Sequence, residues 1–381
     1  MAQTNFAALT DEQKTIWSMD FWKKARNMSF INKFTGTSQD SLCQRITELR
    51  KSEKGARAVI TLVNDLEGDG RAGDRQLEGN EEAMTSEDIV IQVDQLRHAN
   101  RNTGRMNDQR SIIQFREQSR DKLAYWMSDR TDQLAFLTMA GYSYAQHTNG
   151  AARVGSDLPL LDYAADVAAP SAGRLFTVDT NGGLTTDANT SGTMVIGSTL
   201  TWQTLVDLKA YAQERYIRPI RTSDGIEFYH MFVTPSTLAA LRKDSDFIQM
   251  VRDAGVRGSA NPLFKGVDSI MVDGIGVSSY RHVPNTSGLT STNKWGTAGK
   301  VEGCSALFCG AQSLAWADIG NAIWDEEMFD YENQVGISVG KICGMLKPQF
   351  VGKELGGLSS GITEDFGVIR VDCATGAGSD T

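Results

Sequence analysis

The sequence is poor in the residues that build catalytic and metal centres. Only four histidines occur in 381 residues, and none of His98, His147, His230 and His282 has a histidine or cysteine three or four positions away. A zinc site is therefore not expected. The five cysteines, Cys43, Cys304, Cys309, Cys343 and Cys373, are odd in number and widely spaced, which suggests no disulfide framework. They fit small buried hydrophobes in a chain made in a reducing compartment. A G-x-S-x-G elbow and a Walker lysine loop are both missing. No apolar run approaches the ~18 residues of a membrane span. The opening Met1-Ala2-Gln3-Thr4-Asn5 lacks the charged and apolar regions of a secretory signal, so the Asn-x-Ser triplets at Asn27, Asn189 and Asn285 carry little weight. Lysine is absent between Lys54 and Lys122.

What remains is an ordinary globular composition, 40% hydrophobic and 22% charged, in a chain long enough for two or three domains. The formal net charge is −9, which argues against tight, charge-driven DNA binding. That charge is concentrated in one place. Residues 65–94 carry ten carboxylates against Arg71 and Arg75. Like charges so crowded repel unless something answers them. A metal ion, a basic substrate or a second copy of the chain would each serve.

The metal and phosphate readings weaken on inspection. Asp65-Leu66-Glu67-Gly68-Asp69-Gly70 resembles the start of a calcium loop, but the twelfth position, which should be a bidentate glutamate, is Gln76. Gly68-Asp69-Gly70-Arg71-Ala72-Gly73 matches G-x-G-x-x-G, yet no helix pattern follows and the flanking acids would repel phosphate. Glu326, Glu327 and Asp330 near Trp324 fit a solvated helix or strand edge better than an acid-base pair. Cys304 and Cys309 sit in an apolar run and fit core packing.

Along the chain, residues 1–54 form an arm. A capping box at Thr10–Gln13 starts a helix running toward Phe34, and a short second helix is expected to bear Leu42, Ile46 and Leu49. The arm carries nine basic and six acidic residues. Ala58–Leu66 and Glu87–Leu96 alternate like strands and predict a hairpin with a glycine-rich acidic tip at 67–86. From Asn107 to His147 a proline-free pattern predicts one helix of about 35 residues, roughly 50 Å long. Its neighbourhood is basic: Arg97, Arg101, Arg105, Arg110, Arg116, Arg120, Lys122 and Arg130 oppose four acids over 97–130. Residues 148–200 are loop-rich, with short strands expected at Leu158–Leu161 and Arg174–Val178. From Thr201 an α+β pattern begins, with N-caps at Thr201 and at Thr234 before Pro235. Strands are expected near 268–273, 275–283, 304–309, 335–343 and 366–373. No internal repeat is present.

This order of elements resembles the major capsid protein of tailed phages, the HK-97-type fold shared with herpesvirus shells. Short motifs carry the resemblance toward its N-four-like branch: Leu77-Glu78-Gly79-Asn80-Glu81-Glu82, Val93-Asp94-Gln95-Leu96-Arg97-His98, Gly104-Arg105-Met106, Leu123-Ala124-Tyr125-Trp126 and Arg218-Pro219-Ile220. Asn261-Pro262-Leu263-Phe264-Lys265-Gly266, Gly310-Ala311-Gln312, Trp324 to Tyr331 and Phe366-Gly367-Val368-Ile369 continue it over most of 20–373. The resemblance implies an α+β fold with an N-terminal arm (1–54), an extended hairpin loop (55–98), a peripheral domain (99–200) with a spine helix (107–147), an axial domain (201–345) and a return with C-terminal tail (346–381). It implies hexamers and pentamers of an icosahedral virion shell around double-stranded DNA, assembled in the host bacterial cytoplasm. It brings no catalytic residues, cofactor or metal. A cement or decoration protein, a portal and a scaffold are implied partners, with the packaged DNA contacted without sequence specificity and no membrane. Glu78, Glu81, Glu82, Asp88, Arg97, Arg101, Arg105, Trp17 and Trp22 are the expected inter-subunit contacts. Some shells of this fold cross-link covalently through an extended-loop lysine, which this loop lacks. An encapsulin-type compartment of the same fold is the nearest alternative. A metal-dependent hydrolase using the 65–94 carboxylates, and a tail or adhesin component, are others.

Overall fold

A computed structural model of the chain describes residues 11–47, 57–63, 66, 69–84, 86–110, 114–186, 192, 194–222, 225–254, 269–351 and 363–376. The first half contributes α1 (Asp11–Met28), β1 (Thr35–Gly36), β2 (Cys43–Ile46), β3 (Arg57–Val63), β4 (Ser86–Gln92), β5 (Asp94–Arg101), α2 (Arg105–Arg110) and α3 (Phe115–Ala140). Next come β6 (Leu175–Val178), β7 (Leu184–Thr185), α4 (Trp202–Glu214), β8 (Ile220–Arg221), β9 (Glu227–Val233), α5 (Pro235–Lys243) and α6 (Ser245–Ala254). The chain closes with β10 (Ser269–Val272), β11 (Ile275–Ser279), β12 (Gly303–Cys309), β13 (Leu314–Phe329), β14 (Gln334–Leu346), β15 (Gln349–Val351), β16 (Thr363–Asp365) and β17 (Val368–Ala374).

Two sheets organise these elements. One has the order β1-β2-β13-β14-β5; the other runs β10-β11-β9-β12-β17-β6-β7, with β8 added beside β9. The sheet pattern cuts across the expected segment boundaries. β13 and all but the last residue of β14 lie within 201–345 by number, yet their outer ladder partners are β2 and β5. β17 lies in the expected return, yet it pairs with both β12 and β6 inside the second sheet. One continuous apolar core joins α1, α3 and both sheets through Phe21, Phe136, Phe232, Phe308 and Trp324.

Local chemistry explains the helix ends. Thr201 accepts from the Thr204 N–H while the Thr204 hydroxyl accepts from the Thr201 N–H, so α4 begins at a reciprocal cap. Thr234 caps α5 with Pro235 at its first position. The long helix is shorter than its pattern predicts. α3 ends at Gly141, which adopts a left-handed φ of 74° and donates its N–H to Leu137 and Thr138. A Cβ there would lie 2.5 Å from the Ala168 carbonyl oxygen. With 26 residues, α3 spans about 39 Å, and α2 is a separate turn.

Two other expectations are corrected. Residues 43–46 form strand β2, not a helix, because parallel pairing with β13 at Cys43–Ile46 satisfies its backbone and buries Leu42 and Cys43. Leu49 lies outside the described residues. Leu158–Leu160 forms a 3-10 turn around Pro159 instead of a strand. Trp324 to Phe329 belong to β13, a 16-residue strand paired to β14 on either side of an irregularity between Ile319 and Ile323; Trp324 is buried, while Asp325, Glu327, Asp330 and Tyr331 are exposed.

Candidate assembly surfaces

The acidic segment builds a projecting ribbon. β3 and β4 pair antiparallel from Arg57↔Gln92 to Val63↔Ser86 and bond to no other described strand. Strand alternation sorts its faces. At the base, Ala58 and Ile91 pack with Val93 on Ala315, Ala317 and Leu346 of β13 and β14. The opposite face presents Val59 and Val90 as a directly opposed pair, 52% and 41% exposed, with Val63 beyond them. Thr61 donates to Asp88 at 2.5 Å on that same face. Every described residue of the tip, 69–84, is exposed, including Leu77 and Met84. Glu81 accepts from the Gly79 N–H at 2.7 Å, and Arg71 donates to Asn80. Asp65, Glu67 and Gly68, used in the calcium-loop and dinucleotide comparisons, lie outside the described residues. An isolated two-stranded ribbon is marginal in water. This one carries apolar side chains on both faces and its acids at the far end.

The basic residues divide into those answered within the chain and those left open. Arg116 pairs with Glu326 at 2.7 Å, Arg120 with Asp121 at 3.0 Å and Arg105 with Glu332 at 3.8 Å. The Arg101 guanidinium lies 4.1 Å from the Phe329 ring centroid. Arg97 and Lys122 make no ion pair with a described residue and are exposed. Glu326 also accepts from the Trp324 indole at 3.1 Å, while strand alternation puts Glu327 on the opposite face, so these two glutamates do not form a carboxylate pair.

The arm is bound tightly to its own chain. α1 packs on α3 and β13. Trp22, expected at a subunit contact, is 5% exposed and lies under the Lys341 ammonium, 4.2 Å from its ring. In this conformation Trp22 is a core residue. The Trp17 side chain lies outside the described residues. Just beyond α1, Asp132 of α3 gathers four donors: the Ser29 hydroxyl at 2.7 Å, the Phe30 and Ile31 N–H groups at 2.9 and 3.2 Å, and the Tyr280 hydroxyl at 2.6 Å. Burial, followed by the Asp132 charge, pushes the Tyr280 phenol well above its ordinary value. One carboxylate thus ties the arm, the long helix and the segment after β11 together.

Sequence patterns missed this anchor and two buried ion pairs. Lys341 pairs with Asp318, which also meets Arg45 of β2, and Lys347 pairs with Asp365 at 2.8 Å. Burial pushes both lysines down, opposed by their aspartates. Lys341 interrupts an apolar alternation in β14, which was the available signal. Among the described residues, no group of three or more His, Cys, Asp or Glu side chains could hold a metal ion. All five cysteines are free and buried.

Comparison with known proteins gives a consistent result. A family model described as phage capsid protein matches residues 5–377. The major capsid protein of Pseudomonas phage KPP25 is 56% identical over 369 residues, 97% of this chain and 96% of that protein. The capsid of Ralstonia phage GP4 superposes with a TM-score of 0.73 at 25% identity, covering 93% of this chain and 92% of that one. The cyanophage Pam1 capsid matches in fold with a TM-score of 0.70 at 19% identity, covering 99% and 100%. The fold is the HK-97-type capsid fold.

Proposed function

This chain belongs to the phage capsid protein family, and we propose that its acidic ribbon is the arm by which each subunit of the shell holds the next. The chain is a major capsid protein, and its place is the virion capsid. Copies close into an icosahedral shell of hexamers and pentamers around double-stranded DNA. The observation that carries the ribbon's role is its geometry. Val59, Val63 and Val90 face outward on a two-stranded ribbon that ends in a fully exposed acidic tip. Burial of that apolar face on a neighbour supplies the stabilisation a lone ribbon lacks. Glu78, Glu81, Glu82 and Asp88 then meet basic residues of that neighbour, with Arg97, Arg101 and Arg105 as the candidates. Opposed charge fixes register and partner more than it adds affinity. A closed shell repeats each contact, so modest interfaces suffice together.

The two sheets support a reading of the chain as two units. The five-stranded sheet with α3 is the peripheral unit, and the eight-stranded sheet with α4, α5 and α6 is the axial unit that meets its copies at the capsomer centre. The lysine-free stretch between Lys54 and Lys122 gives the extended loop no amine for a covalent cross-link. Burial, charge pairing or an added cement protein must hold the shell, and assembly in the host cytoplasm would draw on a portal and a scaffold. Size-exclusion chromatography with negative-stain microscopy tests this reading. Closed shells or capsomers are expected, with DNA inside particles from infected cells. A chain that stays monomeric at every concentration and salt, or shells filled with a cargo enzyme, would overturn it.

A further inference from the structure

A corner rich in positive charge, only partly offset by Asp129, lies where the C-terminal half of α3 meets the turns that follow it. Its organiser is Gln133, which is buried. The Gln133 amide nitrogen donates to Asp129 at 2.8 Å, which aims its oxygen the other way. That one oxygen accepts from Arg130 at 2.6 Å and from Arg153 at 2.8 Å. Arg153 also donates through Nε to the Gln146 carbonyl at 3.0 Å. Asp129 is already committed, because its other oxygen accepts from Arg281 and from His282, each at 2.7 Å. Among the described residues, neither Arg130 nor Arg153 has a carboxylate within ion-pair distance.

Two guanidiniums are thus held together on a neutral acceptor. Their field reaches the neighbours. Burial, then Arg153 and Arg130, push the His147 imidazole below its ordinary value. Arg153 is itself pushed down by burial first and then by Arg130, opposed by Asp129. Each guanidinium offers five N–H donors, and the contacts above use one from Arg130 and two from Arg153. Both side chains are half-buried beside exposed Gln146 and Ala152, so the corner is open to solvent.

We propose that Arg130 and Arg153, positioned by Gln133, form an oxyanion site that takes a phosphate group, either the backbone phosphate of nucleic acid or free inorganic phosphate. Planar guanidinium forks match phosphate oxygens in pairs, and one phosphate can accept from both forks at once. The site itself stands on this geometry, and only the choice of nucleic acid as the source rests on the reading of the chain as a DNA-enclosing shell. A small cationic site on each subunit fits an otherwise acidic container, since the closed shell repeats it.

The test uses the full-length chain with Arg130→Gln/Arg153→Gln. Anisotropy of a fluorescein-labelled DNA duplex is followed across a salt series, with inorganic phosphate as competitor. The double variant is expected to flatten the slope of log K against log salt by about 0.9, the value of one phosphate contact, and to abolish competition by phosphate. Arg153→Lys keeps the charge and loses the fork, so it should keep the slope and weaken the phosphate effect; it serves if the double variant fails to fold. Inorganic phosphate bound by the parent chain and not by the double variant in calorimetry, with DNA binding unchanged, assigns the site to free phosphate. Slopes and phosphate responses identical to the parent chain in folded variants overturn the proposal. So does tighter binding of a synthetic peptide of residues 69–84 than of DNA, lost in the same variants, which would assign the corner to a neighbour's acidic tip. Shells of the double variant that still enclose DNA separate failure of this site from failure of the shell reading.

Discussion

Replacing Asp132 with alanine should release the N-terminal arm. The carboxylate is 1% exposed and accepts from Ser29, Phe30, Ile31 and Tyr280. Its removal strands two backbone N–H groups at the end of α1 and two hydroxyls, all facing a cavity with no charge to meet them. A hydrogen bond to a charged acceptor contributes about 1.5–3 kcal/mol, and a buried donor left without a partner costs about 1–3 kcal/mol. The four bonds share one acceptor and do not add, and rotation of the Ser29 and Tyr280 hydroxyls recovers part of the loss. The expected cost is about 3–5 kcal/mol, the range for breaking a buried charged contact. Asp132→Asn keeps one acceptor oxygen but turns an amide toward the donors, so about half of that loss is expected. Urea unfolding of the soluble subunit measures both, at constant denaturant slope. Limited proteolysis should show the arm cut first in Asp132→Ala. A loss under about 1 kcal/mol for alanine, or equal losses for alanine and asparagine, would refute the reasoning.

Two further outcomes follow from the same geometry. His230 is buried beside Phe34 and Phe232 with its Nε2 unpartnered, and burial pushes it down to about 4. The unfolded chain therefore binds more protons between pH 6.5 and about 4, so stability is full above 6.5 and falls by about 3 kcal/mol as pH drops to 4; urea midpoints of His230→Phe should lose that part of the pH dependence. Gly141→Ala puts a side chain on a left-handed residue and against the Ala168 carbonyl, so a loss of about 2–3 kcal/mol is expected in the same assay.

The local elements were legible because their chemistry is local. The caps at Thr201 and Thr234, the alternation of β3 with β4 and the apolar face of α3 are written within a few residues. The failures share a physical cause. β2 has too few residues for its period to decide, and its pairing partner β13 lies some 270 positions away. β13 mixes acids with aromatics because each of its two faces meets a different environment, so Glu326 is claimed by Arg116 while Glu327 is exposed. Trp22, expected at a subunit contact, is buried within this chain because Lys341, distant in sequence, covers it. Asp132 and Asp318 carry no sequence mark of burial, since their partners come from segments brought together only by the fold. Of the ribbon proposed as an assembly arm, the acidic tip was readable from its charge, while the outward exposure of Val59, Val63 and Val90 came only with the fold. The pairing of Arg105 and Arg116 within the chain was not readable.

On the proposed function, the acidic ribbon tip holds a neighbouring subunit. Glu78→Lys/Glu81→Lys/Glu82→Lys reverses its sign at three exposed positions. Because Glu81 also accepts from the Gly79 N–H, Glu81→Gln controls for the turn itself. Negative-stain microscopy after size-exclusion chromatography should find subunits of the triple variant with parental circular dichroism and no closed shells, while Glu81→Gln assembles. Normal shells from the triple variant would contradict the account.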